Sequence, residues 1–305
     1  MANATEGEYY NHIMLFWLPV AASAVVSLAG LLLQIFIVAV NVIDWLKERS
    51  MLPADQIITS LSISRIVFHI VCLMEFLNHF PVLSVIPEEL AIFLWRLSEF
   101  SSIWLSTLLS VFFFLKISTF HNVYFLRLKT LISQKIVYLI TVCVVFSLVY
   151  AFSFFLFPIN LTKNYVLHFL NKFPTEAQIM ANIDHVWNTI SLIVSLASSV
   201  LLIISLRSHI RKMSNHGNIM SSGHAFIRTI KFTAVSFLAY TFYVLFGMAY
   251  KIYFKNEEKW FILTWISLSV LHSVLLVYAT TKIRNKFLTI VHGGKRCLFN
   301  RHFSE

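Results

Sequence analysis

Four charged side chains interrupt apolar runs of this chain, and their types limit what they can do. Arg65 sits inside "LSISRIVFHIVC", Leu61 to Cys72; Glu75 follows ten residues later, and Arg96 and Glu99 lie in the next apolar run. A guanidinium in such a run costs about 2.5–3.5 kcal/mol on insertion scales, so it must be held by acceptors. Arg96 and Glu99 are three apart and can pair across one helical turn. A carboxylate left unpaired in such surroundings can instead hold a cationic ligand through a charge-assisted hydrogen bond. Helical rise puts Glu75 about 15 Å beyond Arg65, so Arg65 is expected to be a framework charge with polar neighbours such as Asn41, while Glu75 and Glu99 are either structural or ligand-facing acids.

Aromatic residues surround these charges. Trp95 offers a flat stacking face beside Arg96, and "AYTFYVLFGMAYKIYF" places Tyr243, Phe246 and Tyr250 on one helical stripe. Trp260 and Trp265 open the last apolar run. Such stripes commonly serve as packing or as an interface belt, but facing inward they make a broad apolar pocket with few polar groups. The histidines are scattered, and no metal-spaced pair, phosphate loop or nucleophile elbow occurs, which argues against an enzyme and implies no cofactor and no metal.

The elements that must position these residues are membrane helices. The 305 residues are 58% hydrophobic and only 12% charged, about half the charged share of a soluble domain. Apolar runs near the roughly 20 residues needed to cross a bilayer recur along the whole chain. They predict an all-α membrane protein, one domain over residues 1–305, with seven transmembrane helices. The spans are expected at 13–41, 57–80, 90–118, 135–158, 182–206, 229–252 and 260–281, followed by a tail from 282 to 305. Gly is scarce, and no internal repeat or glycine-rich helix break suggests a discontinuous transporter helix.

Charge sets the expected orientation. Alternate loops and the tail hold seventeen lysines and arginines, and the opposite loops hold five, Lys163, Lys172, Lys251, Lys255 and Lys259. The excess predicts the N-terminus outside and the C-terminus in the cytoplasm. The net charge of +10 is thereby explained by topology and lipid contact, with no need of nucleic acid. The acceptor sequons at Asn3 and Asn160 fall on the outer side, where glycosylation occurs. Cys72 and Cys143 lie in apolar runs and Cys297 in the tail, so no extracellular disulfide is expected.

Several blocks in order resemble the bitter taste receptors, the type 2 taste receptor family of G-protein-coupled receptors. "VNVIDWLK" (Val40 to Lys47) resembles its V-N-x-x-D-W-x-K signature, and "DQIITSLSISRI" (Asp55 to Ile66) its D-Q-I-L-x-x-L-A-x-S-R-I block. "WLSTLLSVFFFLKISTF" (Trp104 to Phe120), "LLIISLRSHIRKM" (Leu201 to Met213) with His216-Gly217, and His272-Ser273 resemble further blocks. The chain departs from the pattern at Ser191, where the family has a proline, at Glu99, where it has an asparagine, and at Thr281, where it has another asparagine. The D-R-Y and N-P-x-x-Y blocks of rhodopsin-like receptors are missing.

The resemblance implies a multi-pass plasma-membrane receptor for small bitter agonists, coupled to a heterotrimeric G protein of the gustducin-like or inhibitory class. Carried over by position, the ligand would meet Glu75, Phe76, Trp95, Arg96, Glu99, Tyr243, Phe246, Ile262 and Trp265, with Asp184 and Trp187 as weaker contacts. The G protein would meet Lys116, His121, Arg207, Arg211 and Lys212. The alternative is a small transporter or channel using Glu75, Arg96 and Glu99 as a polar pathway.

Overall fold

A computed structural model describes residues 17–78, 87–117, 123–156, most of 186–207, position 235 and 258–302. Among these the ordered elements are helices: α1 (Leu18–Glu48), α2 (Pro53–Asn78), α3 (Glu88–Ile117), α4 (Val123–Gln134), α5 (Ile136–Leu156), α6 (Glu258–Ala279) and α7 (Thr281–His302). Five of them, α1, α2, α3, α5 and α6, are long and apolar enough to cross a membrane. A shorter apolar helix lies within Thr189–Ser205, inside the fifth expected span. The spans expected at 57–80, 90–118, 135–158 and 260–281 match α2, α3, α5 and α6 to within a few residues. The first helix instead runs seven residues past the expected end at 41. It stops at Arg49, whose left-handed backbone (φ 56°) lets its N–H donate to Trp45 O at 2.8 Å. Helices α4 and α7 occupy stretches expected only as a basic loop and a tail.

The bundle keeps an apolar core but also buries polar side chains and exposes an apolar outer face. On α1, Ser27, Gly30, Gln34, Ile37 and Asn41 recur at helical spacing and are buried. Val25, Leu28, Leu32 and Ile35 on the other faces are exposed. Polar groups turn toward neighbouring helices because hydrocarbon offers them no partner, and the apolar face is left for lipid. α1 packs between α2 and α6; α2 also packs on α3, and α3 on α5.

At Gly30, α1 approaches its neighbours closely. A Cβ there would lie 2.5 Å from His69 Cε1 and Nε2 on α2 and 2.8 Å from Val270 Cγ2 on α6. His69 is fully buried and cannot swing clear. Gly30→Ala, normally favourable inside a helix, is therefore expected to cost about 1–3 kcal/mol as an overpacked contact. The measurement is the thermal stability of detergent-solubilised receptor, and a stabilised variant would refute the close approach.

The end of the bundle where α1 finishes and α2 begins is tied by charge. Lys282 at the start of α7 lies 2.9 Å from Asp55 of α2 and 3.1 Å from Asp44 of α1. Lys286 also pairs with Asp44, and Phe287 meets Phe36 edge-on at 5.6 Å. Burial pulls the Lys282 ammonium down, but the hydrogen bonds and charges of Asp55 and Asp44 outweigh it and hold its pKa above the ordinary 10.5. A raised lysine pKa contributes stability that is complete below the ordinary value and lost as pH rises through the raised one. The tie is thus constant around neutral pH. Lys282→Met is expected to lower thermal stability by less than Gly30→Ala, because the pairs are partly exposed, and Lys282→Arg to restore it. Equal stabilities of Lys282→Met and wild type would show the pairs to be energetically idle.

Candidate functional site

Arg65 stands at a junction of four helices. Its Nη1 donates to Ser273 Oγ at 2.7 Å and lies 3.0 Å from His272 Nδ1, both on α6. Since a guanidinium only donates, His272 Nδ1 must accept. Nη2 reaches Ser106 Oγ on α3 at 3.4 Å. Ser273 also accepts from Gln34 of α1 and donates to Ser269 O at 2.9 Å, so its hydroxyl is fully used. Asn41, expected among the neighbours of Arg65, instead donates to Thr59 Oγ1 at 3.0 Å and ties α1 to α2 elsewhere along the seam. The role of linking α1 falls to Gln34.

The register of α2 against α3 sets the depth of Arg65. Ser64 Oγ donates to Ser98 O at 2.8 Å and lies 3.1 and 3.2 Å from the hydroxyls of Ser101 and Ser102. Phe68 meets Trp95 edge-on at 5.0 Å. Arg65 therefore leaves the backbone level with Glu99. Side chains of a helix tilt toward its N-terminus, which carries the guanidinium on to Ser106.

A cavity of about 70 Å³ lies between α2, α3 and α6. One wall is Glu99, Ser102, Ile103 and Ser106; the facing wall is Trp265, Leu268, Ser269 and His272, with Arg65 and Phe68 from α2 completing it. Each of the two walls follows the spacing i, i+3, i+4, i+7, one face of a helix over two turns. At the upper end Trp95, Ile262 and Trp265 pack around buried Phe68, Cys72 and Ile266. Arg96 Nη1 lies 3.7 Å from Glu99 Oε2, a loose pair that leaves Glu99 on the cavity wall.

Of the expected ligand residues, the structure thus gathers Trp95, Arg96, Glu99, Ile262 and Trp265. Glu75 is exposed on α2 and is not among the residues lining the cavity. Phe76 is half-buried nearby on the same helix. Trp187 belongs to another group, packed edge-on against Phe146 at 4.8 Å and Trp104 at 6.3 Å. Phe100, stacked on Tyr150 at 3.9 Å, extends that cluster. Asp184, Tyr243 and Phe246 lie outside the described residues. So do His121, Arg211, Lys212, Asn3 and Asn160, while Lys116 and Arg207 are described and exposed. The serines, Phe68, Leu268 and His272 of the cavity were not expected, although the i, i+3, i+4, i+7 rows running on from Glu99 and Trp265 are visible in the sequence.

Comparison with known proteins agrees with this architecture. The family model "Taste receptor protein (TAS2R)" matches residues 12–295. Taste receptor type 2 member 7 of Pongo pygmaeus is 31% identical over 301 residues, covering 90% of this chain and 93% of the relative. Taste receptor type 2 member 110 of Mus musculus is 30% identical over 298 residues, covering 86% and 89%. A match over nearly the whole length, on a bundle of apolar helices, leaves one conclusion: the chain belongs to the type 2 taste receptor family, the bitter taste receptors.

Proposed function

We propose that this receptor binds small bitter compounds at the Trp95–Glu99–Trp265 end of the cavity and passes the signal to a gustducin-like or inhibitory-class G protein. The observation that carries the proposal is the meeting of an acid, Glu99, with aromatic faces of two helices at one end of a cavity. In this reading seven spans cross the plasma membrane with the N-terminus outside. The body of the ligand rests on Trp95 and Trp265 and extends toward Ile262, Tyr243 and Phe246, and Glu99 receives a cationic group. An aromatic face and a carboxylate are each worth more to a cation here than in water.

The ligand activates only by binding the signalling state more tightly than the resting one. The resting bundle is held by Arg65 and by the Lys282 ties, and the G protein docks at the opposite end from the ligand, near Lys116, His121, Arg207, Arg211 and Lys212. The test is a screen of bitter compounds on cells co-expressing the receptor and a gustducin-like chimera. Agonist-evoked G-protein activation without substrate flux is the expected result. Flux of the compound without G-protein activation would establish the transporter reading in its place.

A further inference from the structure

The cavity has two chemically different ends. Glu99 and Trp265 mark one; Ser106, His272 and the guanidinium of Arg65 mark the other, seven residues further along α3 and α6. Seven residues of helix rise about 10 Å. A volume of about 70 Å³ over that length makes the cavity a slender slot. A single water needs about 10–15 Å³ by the same kind of measure, so a few waters or one linear chain would fill it.

Charge decides which chain. The hydroxyls of Ser102, Ser106 and Ser269 line the deep half beside Arg65. Ser106 already accepts from Arg65 Nη2, at a long 3.4 Å, which leaves its hydroxyl proton able to donate. A cationic group driven to this depth meets the guanidinium and is repelled. A carboxylate there is attracted by the same charge and can take hydrogen bonds from serine hydroxyls.

We propose that the deep half of the slot, at Arg65, Ser106 and Ser269, is a subsite for an anionic oxygen group of the ligand, so that the receptor favours linear compounds carrying an amine and a carboxylate about 10 Å apart. The proposal rests on the assignment of the amine to Glu99 and extends it. Arg65 serves both the junction and the subsite, because its bonds to Ser273 and His272 leave the guanidinium on the cavity wall.

The test uses full-length receptor in cells and a length series of ω-amino carboxylic acids, each matched with the alkylamine and the alkanoic acid of the same length. The expected result is a maximum in potency where the two charges match the slot, at least about tenfold above the matched alkylamine. The variant Ser269→Val removes a hydroxyl of the deep half while leaving the bonds of Arg65 to Ser273, His272 and Ser106 in place, and is expected to reduce that gain while the alkylamine keeps its potency. Surface labelling of the variant accompanies the curves, and the wild-type length series decides the question even where the variant is poorly expressed. Alkylamines that activate through Glu99 with no gain from the carboxylate at any length would overturn the subsite and leave the Glu99 assignment standing. Activity of neither series, or amine activity unchanged by Glu99→Gln, would overturn the assignment itself and the subsite with it.

Discussion

Glu99→Gln is expected to weaken an amine-bearing agonist by about 10- to 150-fold, the equivalent of about 1.5–3 kcal/mol for a charge-assisted hydrogen bond. A neutral agonist resting on Trp95 should shift by no more than about twofold, since aromatic stacking does not depend on the carboxylate. The selectivity comes from the geometry of the pair with Arg96. At 3.7 Å the ions attract, but the separation is beyond a good hydrogen bond, and Arg96 is the more exposed partner. A ligand ammonium in the cavity competes with Arg96 for Glu99, and Arg96 can turn outward as long arginine side chains do. Gln keeps the shape and loses the charge. Paired dose–response curves for one cationic and one neutral agonist on wild type and variant make the measurement. Equal shifts for both compounds would make Glu99 part of the scaffold and leave recognition to the aromatic residues.

Arg65→Ala is expected to abolish signalling by every agonist alike, with little receptor reaching the surface. The substitution leaves Ser273 and His272 of α6 and Ser106 of α3 without the donor that joins them to α2. Ser273 keeps Gln34 and Ser269, but the part-buried His272 and Ser106 each lose a hydrogen bond to a charged group, worth up to about 1.5–3 kcal/mol, against a whole-domain stability of about 5–15 kcal/mol. Arg65→Lys keeps the charge but supplies a single ammonium in place of a planar fork, and cannot span α3 and α6 together. Partial recovery is expected from it. Surface labelling and dose–response with chemically unlike agonists make the measurement; full expression with selective loss of one agonist would contradict the framework role.

The membrane character of the chain and its helices were legible without coordinates. Hydropathy and length place α2, α3, α5 and α6 within a few residues, because each apolar run must be about as long as the bilayer is thick. The same criterion cannot see beyond the bilayer. It ends the first span near Asn41, where the polar residues begin, although the helix runs on to Glu48 and uses Asp44 to hold Lys282 and Lys286. It also passes over α4, where Arg127 and Lys129 break the apolar run without breaking the helix.

The site was legible in its parts and not in its assembly. Residue type alone singled out Arg65 as a buried guanidinium needing acceptors, and Arg96–Glu99 as a pair at i, i+3 spacing. Trp95, Glu99, Ile262 and Trp265, transferred by resemblance, come together in the structure. Counting residues along separate helices, however, gives no register between Arg65 on α2 and Glu99 on α3. The packing of Ser64 on Ser98, Ser101 and Ser102 brings their backbones level while the guanidinium reaches on to Ser106, and Phe68 and the serine walls follow from that register. Spacing along one helix says which residues share a face. Which way that face turns, and how far one helix slides past the next, is decided by contacts between residues distant in the chain, such as Arg65 with Ser273 and Gln34 with Ser273. Those contacts exist only once the helices have packed.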